Sequence, residues 1–196
     1  EDSPTTEDVS ASTDEDTAVD ITLDGSDGDG DSLTYSIVAT NDGSVTVSGS
    51  TATYTPDANW WGTDTFTYKL NDGDEDSNTS TVTITVASVN DAPVVDDVST
   101  SVDENRIAAG NITATNSVQV DLDNYTSDVE DIDLSGVSYS IASSSSNGTT
   151  TLSDNIITYI PDRDWNGTDT ITYTANDGTD DSDPGTISVT VNSAPE

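Results

Sequence analysis

The chain has 196 residues, 39 of them Asp or Glu against three Lys or Arg, for a formal net charge of −36 at pH 7. Nucleic acid and anionic membranes are both bound through Lys and Arg, so this composition excludes them as partners and points to cations or a salty medium. Cys, His and Met are absent, which removes thiolate and imidazole ligands, leaves oxygen donors that select hard ions with Ca²⁺ ahead of Mg²⁺, and removes disulfides as staples.

In chain order, Asp2-Ser3-Pro4 has the composition of the tail of a linker, followed by segments in which apolar and polar residues alternate. They are Val19, Ile21 and Leu23; Leu33, Tyr35 and Ile37; Phe66, Tyr68 and Leu70; and Val82, Ile84 and Val86. A period of two marks strands with one wet face. Asp-Gly-Asp-Gly and Asn-Asp-Gly turns punctuate them, and Asn90-Asp91-Ala92-Pro93 ends the series, because proline prevents the last strand from continuing. The pattern then returns at Val118, Val120 and Leu122; at Val137, Tyr139 and Ile141; at Ile171, Tyr173 and Ala175; and at Ile187, Val189 and Val191. Asn192-Ser193-Ala194-Pro195 closes it.

The return is nearly literal. TYTPDANWWGTDTFTYKLNDG from Thr53 to Gly73 recurs as TYIPDRDWNGTDTITYTANDG from Thr158 to Gly178, an offset of 105 residues. That is the length of a domain and far beyond a solenoid period. The expected fold is all-β: two tandem Greek-key β-sandwiches of about seven strands each, over residues 1–92 and 93–196. The second copy has a longer opening, Arg106 to Thr126, which predicts an added strand or a surface loop. Two copies without an initiator Met are expected to come from a longer array, with any export signal outside the segment.

These residues resemble bacterial cadherin-like tandem repeats of the kind found in large surface adhesins and repeats-in-toxin proteins. The resemblance rests on Glu15-Asp16-Thr17, on Gly25 to Ile37, on Tyr54-Thr55-Pro56-Asp57 through Asn71-Asp72-Gly73, and on Val89-Asn90-Asp91-Ala92-Pro93. It implies cadherin-like or immunoglobulin-like sandwiches, with Ca²⁺ held where consecutive domains meet. By resemblance the first copy supplies Glu15, Asp57, Asn90 and Asp91 to one such site, and the second supplies Asp128, Glu130 and Asp177. Two further half-sites are implied, at Asp27, Asp29 and Asp72 and at Glu104, Asp162 and Asn192. Ser88 stands where a cadherin linker has its first acid. Asp131 and Asp133 lie close enough to replace Asp128 and Glu130 as ligands. At roughly 5 Å and an effective dielectric near 20, each pair of such carboxylates costs about 3 kcal/mol, so they need a counterion to converge. Asp and Asn also favour turns without any metal.

Other chemistry finds less support. Asp27-Gly28-Asp29-Gly30-Asp31 fails as an EF-hand, with Ser32 in place of the required glycine and Val38 in place of the closing glutamate. Trp60 or Trp61 aligns with Trp165 and is expected to plug a sandwich end, the remaining tryptophan being unassigned. Without His or Cys the common triads and zinc sites are impossible, and 39 acids make any carboxylate pair uninformative, so no enzyme is expected. Lys69, expected to face outward on its strand, argues against isopeptide cross-linking. The expected function is a Ca²⁺-stiffened extender, secreted and extracellular on a bacterial surface and monomeric. Its partners would be neighbouring repeats of the same chain. The alternative is an adhesion module that binds a glycan or another copy.

Overall fold

The computed structural model describes residues 2–39, 42–105, 107–108, 111–112 and 116–193. It forms two units, Glu1–Val89 and Asn90–Glu196. Arg106 and the Ala194-Pro195 ending fall outside the described residues.

The first unit contains β1 (Val9–Asp14), β2 (Val19–Thr22), β3 (Thr34–Ala39), β4 (Gly43–Ser48), β5 (Thr51–Pro56), β6 (Gly62–Asn71) and β7 (Ser80–Ala87), with the four alternating segments at β2, β3, β6 and β7. They assemble into a four-stranded sheet in the order β1-β7-β6-β3 and a three-stranded sheet in the order β2-β5-β4. β1 runs parallel to β7, and the other pairings are antiparallel. Inward-facing Phe66, Tyr68, Leu70, Val82, Ile84 and Val86 of the larger sheet meet Ile21, Ala52 and Tyr54 of the smaller one. Each large apolar side chain removed from water in this way contributes roughly 1.5 to 3 kcal/mol.

The core tyrosines keep their hydroxyls satisfied by backbone carbonyls. Tyr54 donates to Asp42 O at 2.8 Å, and Tyr68 donates to Glu7 O at 2.7 Å and Asp24 O at 3.0 Å. β4 starts with glycine for a related reason. At Gly43, held at φ 145°, a Cβ would come within 2.7 Å of Thr55 O and 3.0 Å of the Tyr54 ring. Asp64 interrupts the apolar face of β6 at 2 % exposure. It accepts from Asp42 N at 3.2 Å and so pins the β3–β4 connection to the sheet.

The second unit contains β8 (Val94–Val95), β9 (Val98–Asp103), β10 (Ile107–Ala108), β11 (Asn111–Ile112), β12 (Val118–Asp121), a 3₁₀ turn at Leu122–Tyr125 and β13 (Thr126–Ser127). They are followed by β14 (Ser138–Ser143), β15 (Gly148–Ser153), β16 (Ile156–Pro161), β17 (Gly167–Asn176) and β18 (Gly185–Asn192). Its sheets, β9-β18-β17-β14 and β12-β16-β15, repeat the order of the first unit. The longer opening contains the β10–β11 hairpin and the 3₁₀ turn, which Asp121 caps by accepting from Asp123 N. Buried Asp169 takes the place of Asp64 and accepts from Ser146 N, Asn147 N, Thr170 N and the Tyr159 hydroxyl. Trp60 and Trp165 each pack against the core of their own unit, whereas Trp61 is 41 % exposed.

Candidate metal centre

One end of the second unit gathers acids from three segments. The opening segment brings Asn90 and Asp91, the loop between β13 and β14 brings Asp128 and Glu130, and the loop between β17 and β18 brings Asp177 and Asp180. The Asn90 amide nitrogen donates to Asp177 Oδ2 at 2.9 Å and Asp180 Oδ2 at 3.1 Å. Asp91 N donates to Glu130 Oε2 at 3.0 Å. Each loop acid is locked by its own backbone: Asp128 Oδ1 accepts from Glu130 N and Asp131 N, and Asp177 Oδ1 from Thr179 N and Asp180 N. These Asx turns are the reason aspartate sits first in both loops.

One oxygen of each Asx acid is thus committed to the chain, which leaves the other to act on something else. Asp128 Oδ2, Asp91 Oδ2 and Glu130 Oε1 are buried and have no hydrogen-bond partner. The ligand oxygens of Asp91 and Glu130 lie within 4.8 Å of one another, a repulsion on the order of 3 kcal/mol at an effective dielectric of 20. Buried acceptors without donors are rare because each forfeits hydration without compensation. A hard cation supplies both the missing partner and the missing charge, so this donor set fits Ca²⁺. The Asp177 carboxyl is held below the usual carboxylate range, chiefly by the Asp180 N–H and also by the Asn90 amide and the Thr179 N–H.

The first unit repeats the arrangement. Asp27 Oδ1 accepts from Asp29 N, Gly30 N and Asp31 N, and Asp72 Oδ1 from Asp74 N and Glu75 N. Asp2 N donates to Asp29 Oδ2 at 2.8 Å, as Asp91 does to Glu130, and the Ser3 hydroxyl donates to Glu75. Asp27 Oδ2 and Asp72 Oδ2 are again buried without a partner. Asp72 is likewise held below the ordinary carboxylate range, first by the Glu75 N–H and then by that of Asp74.

At the far end of the first unit Glu15, 4 % exposed, accepts from Val89 N at 2.7 Å through Oε1, and its Oε2 is buried without a partner. Asp57 is exposed directly after β5, where its carbonyl accepts from Trp60 N. In the second unit Glu104 is buried and tied through its backbone N–H to Asn192 O, while Asp162 is exposed with its N–H on Asn147 O. Asp131 accepts from Gly136 N and Asp133 from Ser135 N, so both are engaged in the loop's own turns. Sequence reasoning missed Asp180, Glu75 and Asp2. The signal was present: Asp72-Gly73-Asp74-Glu75 recurs as Asp177-Gly178-Thr179-Asp180, an acid three residues after an acid in both copies.

No helix among the described residues is long and apolar enough to cross a membrane. No curated protein matches the chain. Among solved structures, human Protocadherin-24 EC1-2 is similar at 16 % identity and a TM-score of 0.56, covering 95 % of this chain and 95 % of that one. Mouse Cadherin-23 EC22-24 is similar at 19 % identity and a TM-score of 0.56, covering 98 % of this chain and 65 % of that one. An endo-fucoidan hydrolase from glycoside hydrolase family 107 aligns at 18 % identity with a TM-score of 0.38, and this chain spans 29 % of its length. The bacterial Ig domain family matches residues 1–85, and the bacterial cadherin-like domain family matches residues 90–193. The chain belongs to the bacterial cadherin-like domain family.

Proposed function

We propose that this chain is a pair of Ca²⁺-stiffened extender repeats of a large bacterial surface adhesin, the first running to Ala92 and the second from Pro93. The array would be secreted, monomeric, and used to hold distal adhesive domains away from the cell. The observation that carries the reading is the set of buried carboxylate oxygens without partners, Asp91 Oδ2, Asp128 Oδ2 and Glu130 Oε1. Asp91, Asp128, Glu130 and Asp177 would hold the ion. Glu15, Asp57 and the Asn90 amide are the further ligands that the family resemblance adds. Asp27, Asp29 and Asp72 would serve a preceding repeat, and Glu104, Asp162 and Asn192 a following one. The ion supplies charge neutralisation and shared coordination, and the chain supplies preorganised oxygens.

Ca²⁺ bound to the folded state adds RT ln(1 + [L]/Kd), about 2.7 kcal/mol at a hundredfold excess over Kd. Calorimetric melts of the pair in millimolar Ca²⁺ and in chelator should therefore differ by several degrees. Indistinguishable melts would refute the metal reading and the extender with it. A second reading, an adhesion module that binds a glycan or another copy, is favoured by the exposed ring of Trp61. Binding of the isolated pair to a glycan array, or its self-association, would move that reading ahead.

A further inference from the structure

The two repeats share a backbone, so positions where they differ mark what one copy does and the other does not. Leu23 N donates to Ser50 O at 2.8 Å in the first repeat, and Leu122 N donates to Asn155 O at 2.9 Å in the second. The turn between β4 and β5 thus corresponds to that between β15 and β16, with Gly49-Ser50 in one and Asp154-Asn155 in the other. Gly49 sits at φ 59° and Asp154 at φ 54°. A left-handed position suited to glycine has been given a carboxylate.

Asp154 and Asn155 line an open groove of about 620 Å³ together with Asp123 and with Leu134, Val137, Tyr139 and Leu152. Leu134 is itself at φ 56°, a conformation uncommon for a bulky side chain. The groove's side-chain donors are already engaged. The Tyr139 hydroxyl donates to Asp123 Oδ1 at 2.9 Å, the Asn155 amide to Asp123 Oδ2 at 2.7 Å and Asp121 Oδ1 at 2.9 Å, and the Ser138 hydroxyl to Asn176 O at 3.3 Å. What the side chains still offer a ligand is acceptor lone pairs beside apolar side chains and one aromatic ring.

That inventory selects a ligand made of donors on an apolar stem. A neutral sugar carries acceptors that would find no free side-chain donor here, and an anion is repelled. A lysine side chain has three donors, no acceptor, and four methylenes that can lie along an apolar surface. Its ammonium also gains from the face of an aromatic ring. Its ammonium is a compact point charge with three rotatable donors, whereas a guanidinium gains most from a planar, bidentate partner. The net charge of −36 would steer a basic segment inward and raise its association rate.

We propose that this groove on the second repeat receives a lysine side chain from a basic segment of a partner protein, with the ammonium between Asp123 and Asp154 and the stem over Leu134, Val137, Leu152 and the Tyr139 ring. The test titrates the tandem pair, in millimolar Ca²⁺ so that metal sites are filled and read separately, with acetyl-Gly-Lys-Gly-amide. The acetyl-Gly-norleucine-Gly-amide control keeps the stem and lacks the ammonium. Amide shifts should move at Tyr139, Asp154 and Asn155 with the lysine peptide and stay still with the control. Replacing Asp154→Gly and Asn155→Ser together installs the pair that the first repeat already carries at this turn, and should weaken binding about tenfold. Shifts spread over the acidic loops, binding unchanged by the double substitution, or maltose moving the same amides while the lysine peptide does not, would each overturn the proposal.

Discussion

Asp128 illustrates how one side chain is divided between fold and ligand. Its Oδ1 accepts two backbone N–H groups that hold the loop, and its Oδ2 is buried without a partner. Asp128→Asn keeps an oxygen for the turn and removes the charge. Titration calorimetry should show Ca²⁺ affinity lowered about tenfold or more, a loss on the order of 1.4 kcal/mol. Melting in chelator should hold or rise, because a repulsion is relieved. Asp169 has the opposite character, 3 % exposed with both oxygens accepting from Ser146, Asn147, Thr170 and Tyr159. Asp169→Ala orphans those donors and should cost about 2 to 4 kcal/mol in urea unfolding, with or without Ca²⁺. A smaller loss would mean that water replaces the carboxylate.

At the scale of elements, the tyrosines that join the two sheets make the sandwiches sensitive to alkali. Burial is the main cause that pushes the Tyr173 hydroxyl up to about 12, and it also raises Tyr54, Tyr68 and Tyr159 above the ordinary value of 10.0. Between pH 10 and about 12 the unfolded chain gives up phenolic protons that the folded chain retains. The unfolded state then binds fewer protons, so stability falls as pH rises through this window and is untouched by these groups below it. Melts followed by circular dichroism should be flat in this respect up to about pH 9 and decline beyond pH 10, more gently in Tyr173→Phe. The same tyrosines show what could be read from the sequence. Phe66, Tyr68 and Leu70 announce β6 by alternation, and the repeated block announces β17. β1 and β4 were not legible, because Val9, Ala11, Val45 and Val47 alternate with Ser and Thr too weakly to stand out. The parallel pairing of β1 with β7 joins residues such as Val9 and Val82, which no local pattern connects. Asp128 and Asp177 were reached through the family resemblance, and Asp180 was missed although it recurs in the place of Glu75, because in so acidic a loop that recurrence stands out only once Asn90 is seen to hold it.

For the whole molecule the governing quantity is charge. A chain at −36 repels itself at every length below the Debye length, about 8 Å at physiological salt, and an array of such repeats can transmit position only if something stiffens its hinges. If Ca²⁺ is shared between consecutive repeats, removing it leaves acids such as Glu15, Asp91, Asp128 and Glu130 as uncompensated charges, and motion about Ala92-Pro93 becomes free. A freely jointed string grows only as the square root of its number of units, so it would hold a distal domain poorly. Small-angle scattering of the pair should therefore give a longer maximum dimension and a narrower distribution of shapes in Ca²⁺ than in chelator. The ionic strength must be equal in both, so that screening is not mistaken for coordination. The Asp128→Asn pair should need more Ca²⁺ to reach the same dimension, which ties the mechanical change to the site. An unchanged dimension, or a compact pair when loaded, would remove the physical basis of the extender and leave adhesion by the repeats themselves as the better account.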